Sequence, residues 1–282
     1  MPVAIAGVLA YVLARHGQTF STAIHAAPVW LLIFAVALQL LALLARCEAW
    51  NVCIAAAGGT MTRRHVFRAA GIGGIGAFVN GQLGVATRIA SLRRAAPGQC
   101  PRLGALVAAE VPILAVEAAL AALCSFTLLG PLGMPWWSAV LCVTAAMGAL
   151  VGLGRLAGRR PTGVWSGLAV MRSMRGRWRV LGLVLVAVFA QIARNWLALH
   201  AVGVNCSLLD AIAVLIAMVT FSQLPLGPSV GAAAVVVILG AQGVALTASA
   251  GVLLTATGIT GALCFAAWAL VDSVRRIGPA PI

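Results

Sequence analysis

FVNGQLGVATRIASLRR, residues 78–94, breaks an apolar stretch with Asn80, Gly81, Gln82 and Gly84 and then brings in Arg88, Arg93 and Arg94. Glycine loosens the backbone there, and each peptide group freed by the break needs a partner that hydrocarbon cannot supply. Either the chain turns back at this point or it runs through as one kinked helix. That choice decides the fold.

Composition identifies the solvent. Of 282 residues, 62% are hydrophobic and 9% charged, whereas a soluble domain carries about 25% charged residues. Mean hydropathy is +1.07, as expected for an integral membrane protein. The net charge of +14 comes from nineteen arginines without a single lysine. Because they gather at the ends of apolar segments, they follow the positive-inside rule and do not mark a nucleic-acid-binding domain. Arginine without lysine, together with abundant Ala, Gly and Val, fits a GC-rich bacterial genome and hence a bacterial inner membrane. Seven cysteines lie scattered without CxxC spacing, and four histidines lie apart. No metal, no cofactor and no enzyme active site are expected from them.

A crossing helix needs about 20 apolar residues. Spans are predicted at about 2–14, 28–57, 103–129, 136–154, 180–203 and 244–271. The N-terminus lacks a basic n-region and a cleavage site, so it reads as a short first span rather than a signal peptide. Two stretches, about 66–94 and 208–240, are broken in the middle, the second by QLPLGP at 223–228. Pro225 and Pro228 remove amide donors there.

Arg63, Arg64 and Arg68 precede the first break, and Arg93, Arg94 and Arg102 follow it. With both flanks cytoplasmic, the stretch enters and leaves on one side as a re-entrant hairpin. The arginine-rich loop 155–179 and the C-terminal Arg275 and Arg276 also belong inside; the arginine-free loops 130–135 and 203–208 belong outside. The expectation is an all-α polytopic membrane protein forming one integral domain over 1–282, with both termini cytoplasmic. The alternative, eight crossings with each broken stretch a kinked span, puts one of the flanking arginine clusters outside.

An internal repeat agrees with the hairpins. Phe78 and Gly84 recur 143 positions later as Phe221 and Gly227, and ARCEAW at 45–50 echoes ARNW at 193–196. Each half, about 1–130 and 136–272, then holds three spans and one re-entrant hairpin. Three is odd, so the second copy is inverted, a recurring transporter design.

Six ionisable residues fall inside the spans: Arg46, Glu48, Arg88, Glu110, Glu117 and Arg194. Each costs about 2.5–3.5 kcal/mol on insertion scales, so each is expected to face protein or water. Glu110 and Glu117 are two helical turns apart on one face, about 10 Å. Arg46, Glu48, Glu110, Glu117, Arg194 and the adjacent Asn195 are candidates for a polar path or coupling site, or else for ion pairs that hold the bundle together. At the breaks, Asn80, Gln82, Gly84, Arg88, Gln223, Gly227 and Ser229 are candidates for binding a lipid headgroup, since helix starts expose backbone donors suited to phosphate. The same side chains suit the bonding of freed backbone groups. GIGGIG at 71–76 follows no strand and is better explained by close helix packing than by nucleotide binding.

Gly84 and Arg88 after a break, followed by ALVAAEVPILAVE at 105–117 and LPLGPSVG at 224–231, resemble the lysylphosphatidylglycerol synthase transmembrane-domain family. The resemblance covers approximately 40–270. It implies a flippase-like domain with headgroup handling at Arg88 and Glu110. The chain departs from the family's pattern at Val85, Val111 and Ala234, and it carries no soluble aminoacyl-transferase half. The expected function is therefore movement of an anionic phospholipid or polyprenyl-phosphate-type lipid between leaflets by alternating access. Membrane lipids are the expected partners, with a separate lipid-modifying enzyme as a second one. Two alternatives are a non-transporting scaffold for a lipid- or cell-wall-modifying enzyme and a secondary transporter of a small solute.

Overall fold

The computed structural model describes residues 28–77, 81–159, 163–221, 230–240 and 244–275. Among these residues the chain is helical without strands: α1 (Val29–Ala56), α2 (Arg63–Ala77), α3 (Gly81–Ala95), α4 (Leu103–Ala108), α5 (Val111–Leu123), α6 (Leu129–Leu132), α7 (Trp137–Arg159), α8 (Met174–Ala201), α9 (Leu208–Phe221), α10 (Val230–Leu239) and α11 (Val244–Val274). Two 3-10 segments, Ser125–Leu128 and Gly163–Arg172, lie in the connections.

Five segments are long and apolar enough to cross a membrane: Val29–Ala56, Leu103–Leu123, Trp137–Arg159, Met174–Ala201 and Thr247–Val274. They coincide with five of the spans expected from hydropathy; the sixth, 2–14, lies outside the described residues. The helix expected at 180–203 starts earlier because Ser173 caps it, its hydroxyl accepting from the Gly176 amide. The helix expected at 103–129 ends at Leu123 and is interrupted at Ala109 and Glu110. Pro112 has no N–H to offer the carbonyl one turn back, so the helix restarts with Glu110 as the N-cap of α5.

Glycine contacts show how α2 and α3 lie against each other. A Cβ added at Gly73 would stand 2.7 Å from the Arg88 Cβ, and one at Gly84 would stand 2.8 Å from the Ala77 Cβ. Gly76 meets Thr87 in the same way. As position rises along α2, its partner falls along α3, so the two helices run antiparallel. Antiparallel packing fits a chain that turns back better than one kinked helix. Each of the two helices has 15 residues and is about 22 Å long, against a hydrocarbon core of about 30 Å. GIGGIG is a packing device: Gly73 and Gly76 admit α3, and a Cβ at Gly71 would come 2.6 Å from the Ala269 Cβ on α11.

A long helix, two short ones and a long apolar segment occur in that order twice, as α1–α2–α3–α4/α5 and as α8–α9–α10–α11. The long first members, α1 and α8, pack against each other through Ala42, Ala45, Ala187 and Ala190. One apolar core gathers α8, α9, α10 and α11 around Leu199, Val214, Val235 and Leu254. A second gathers Trp50, Val66, Leu92, Leu106 and Ile113 from α1 to α5. Helix α7 stands at the periphery, with only Ser138 and Ala157 buried.

Loop 155–179, expected as a plain cytoplasmic connection, contains a 3-10 segment at Gly163–Arg172 that packs into the protein. The segment buries Gly167, Leu168 and Val170, and a Cβ at Gly167 would lie 2.6 Å from the Ala108 Cβ on α4. Gly167→Val is therefore expected to destabilise the protein by about 1–3 kcal/mol through overpacking. Gly158→Ala, at a helical glycine with open space around it, should not. Thermal unfolding of both variants in detergent checks this.

Candidate functional site

The charges lie where the short helices meet the long ones. Helix α3 carries Arg88 toward α1, where its guanidinium carbon sits 4.1 Å from the centroid of the Trp50 ring. Its Nη2 ion-pairs with Glu110 Oε1 at the helix break. The two side chains are 11% and 7% exposed, so charge pairing and stacking on the ring replace solvent for the cation. Arg88 Nε is buried without a hydrogen-bond partner.

Arg46 on α1 meets Glu117 on α5 at 3.0 Å, the carboxylate well buried and the guanidinium part-exposed. On the same helix, Glu48 is held by Arg63 at 2.6 Å and by Arg179 at 3.0 Å, which ties the starts of α2 and α8 to α1. At the other end of the chain, Asp272 on α11 accepts a 2.9 Å bond from Arg64 Nε and pairs also with Arg64 Nη2. Arg68 reaches the same carboxylate at 3.6 Å. Between α1 and α8, Gln39 accepts from Arg194 Nη1 and, at 3.2 Å, from Gln191 Nε2. Arg194 Nη2 donates to Asn195 Oδ1 at 3.3 Å.

The structure thus joins Arg88 to Glu110, Arg46 to Glu117 and Arg194 to Asn195. Arg46 and Glu48, neighbours in sequence, have separate partners, since two positions on a helix point about 200° apart. Gly84 lies against Ala77, where its lack of a side chain allows α2 and α3 to approach. Asn80, Gln223, Gly227 and Ser229, with the side chain of Gln82, lie outside the described residues. Asp272, Arg64, Arg68, Gln39 and Gln191 had not been singled out as site residues. Their signal was present: a carboxylate and two amides inside long apolar runs are costly unless bonded.

No protein-family model, curated protein or solved structure matches the chain. Among the described residues no group of three or more His, Cys, Asp or Glu could hold a metal ion. A cavity of about 230 Å³ opens between α5 and α7 and is lined by apolar side chains, among them Val111, Leu114, Leu150 and Leu153. It suits hydrocarbon rather than a polar solute.

Arg88→Lys is expected to weaken this site, because the ammonium cannot reproduce the planar contact with Trp50 while pairing with Glu110. Exposed Arg93 should tolerate Lys. Comparing the two variants in lipid-binding titrations and in thermal unfolding measures the difference.

Proposed function

We propose that the protein is a translocator of the bacterial inner membrane that moves an anionic amphipathic lipid, of phospholipid or polyprenyl-phosphate type, between leaflets by alternating access. The observation that carries this reading is the placement of buried ion pairs between separate helices at membrane depth. Arg88–Glu110 joins a short helix to a broken span, and Arg46–Glu117 joins two spans. Ionisable groups at membrane depth are costly and commonly mark substrate or ion paths. The apolar cleft between α5 and α7 can take part of an acyl chain beside Glu117's helix. The resemblance to the lysylphosphatidylglycerol synthase transmembrane domain, the repeated helix order and the antiparallel packing of α2 on α3 point the same way.

In this reading the two halves are inverted repeats, the pairs α2–α3 and α9–α10 are re-entrant, and both termini are cytoplasmic. The expectation that residues 80–84 and 223–228 meet near the midplane from opposite sides falls largely outside the described residues. Cysteine-pair crosslinking between these segments, with membrane-impermeant labelling of each flank, tests the topology. Labelling of 63–68 and 93–102 from opposite sides would refute it.

Headgroup-resolved flipping in proteoliposomes tests the function. Anionic lipids are expected to exchange faster than zwitterionic ones. Glu117→Gln, which keeps shape and removes charge, should slow exchange at least tenfold while the protein stays monodisperse. A specific observation favours a second reading, a non-transporting scaffold: Arg88–Glu110 and Arg46–Glu117 are already neutral pairs. That reading requires no flipping by the wild-type protein and loss of assembly in Glu117→Gln.

A further inference from the structure

The sequence has five acidic side chains, Glu48, Glu110, Glu117, Asp210 and Asp272. Each is committed away from Arg194. Glu48 takes Arg63 and Arg179, Glu110 takes Arg88, Glu117 takes Arg46, and Asp272 takes Arg64 and Arg68. Asp210 accepts from the amide and hydroxyl of Ser207 at the start of α9. Arg194 is only 4% exposed, and the contacts of its guanidinium are the neutral amides of Gln39 and Asn195. Among the described residues its buried Nε has no acceptor.

A guanidinium stays protonated in proteins, so Arg194 cannot escape its burial by losing a proton. Neutral amides orient the fork but do not balance its charge, and an isolated buried ion is strongly disfavoured. Gly258 of α11 faces the group, with an added Cβ 3.3 Å from Arg194 Nη1. Gln39 also accepts from Gln191 at 3.2 Å, which fixes the amide that holds Arg194 Nη1.

We propose that Arg194 is an oxyanion site at the junction of α1, α8 and α11, and that it binds a phosphate group carried by a lipid or free in solution. The site is distinct from the Arg88–Glu110 pair, whose cation already has its counter-charge. A planar guanidinium with an unused Nε–H edge matches two oxygens of one phosphate. Gln39 and Asn195 hold that edge in place, and movement of glycine-bearing α11 away from α1 admits the ligand. This rests on the proposed transport only for its source of ligand, and it is tested by binding rather than by flipping.

The experiment uses the full chain purified in detergent, with phosphatidylglycerol, phosphatidylcholine and inorganic phosphate as probes. Binding is read by native mass spectrometry for the lipids and by equilibrium dialysis for phosphate. Wild type is expected to bind phosphatidylglycerol or phosphate, and Arg194→Met to lose about tenfold or more in affinity. Preference for phosphatidylglycerol over both other probes identifies a lipid headgroup; binding of inorganic phosphate identifies a free anion. Because Arg194→Met removes an unbalanced buried charge, its thermal stability without ligand should equal or exceed that of wild type. Arg93→Met, at an exposed position, should bind as wild type does. Equal affinities in wild type and Arg194→Met, no binding by wild type, or a large loss of stability in Arg194→Met would each overturn the proposal. Flipping that persists with unchanged binding in Arg194→Met would overturn the site and leave the translocator reading intact. Arg194-dependent binding without flipping would do the reverse.

Discussion

Glu110→Gln is expected to cost about 3–5 kcal/mol and to leave little monodisperse protein after extraction, because it strands the Arg88 cation in a closed site. Arg88 is packed between Trp50 and the start of α5, with its Nε already unbonded. A glutamine amide can accept a hydrogen bond from the guanidinium but returns no charge to it. The double variant Arg88→Met, Glu110→Leu should recover most of the loss, since replacing both partners with apolar groups removes the desolvation cost along with the attraction. Thermal unfolding of the two proteins in the same detergent measures the difference. Equal stability of Glu110→Gln and wild type would mean that water reaches Arg88 and that the pair is not closed.

Trp50→Ala is the second large effect, expected at about 3–5 kcal/mol. Trp50 is fully buried in the core formed with Leu92, Leu106 and Ile113, and its ring carries Arg88. Truncation opens a cavity and removes the face on which the cation rests. Within a membrane the loss is mainly one of packing, since lipid is as apolar as the core. Trp50→Phe should cost much less. It keeps an aromatic face, and the indole Nε1 it removes is buried without an acceptor. Similar losses for Phe and Ala would instead show that the volume of the indole, rather than the presence of a ring, supports Arg88.

Much of the fold could be read along the chain because the membrane makes it a local problem. A bilayer forces each crossing segment to satisfy its own peptide groups, so hydropathy and length locate helices without knowledge of their neighbours. That is why the spans expected at 28–57, 136–154 and 244–271 agree with helices starting at Val29, Trp137 and Val244. The restart at Glu110 was also legible in principle, since Pro112 forbids one helical hydrogen bond wherever the helix packs. The packing of the 3-10 segment in loop 155–179 was not. Leu168 and Val170 are buried only because α4 offers a surface that Gly167 can approach, and that surface comes from a distant part of the chain.

The candidate site divides along the same line. By itself the sequence determined that this is a helical membrane chain, that its helices break near 78–84 and that charges at 46, 48, 88, 110, 117 and 194 must be sheltered from lipid. Tertiary structure alone decided how they are sheltered. Antiparallel packing of α3 on α2 sets Arg88 against Trp50 and Glu110, and the packing of α2 on α11 brings Arg64 and Arg68 to Asp272, more than 200 positions away. The cost of burying a charge is a property of the residue and its solvent, so it can be counted from sequence. The pairing that offsets it depends on distances of a few ångströms between separate helices. Only their packing sets those distances, and among the described residues it leaves Arg194 buried with no carboxylate beside it.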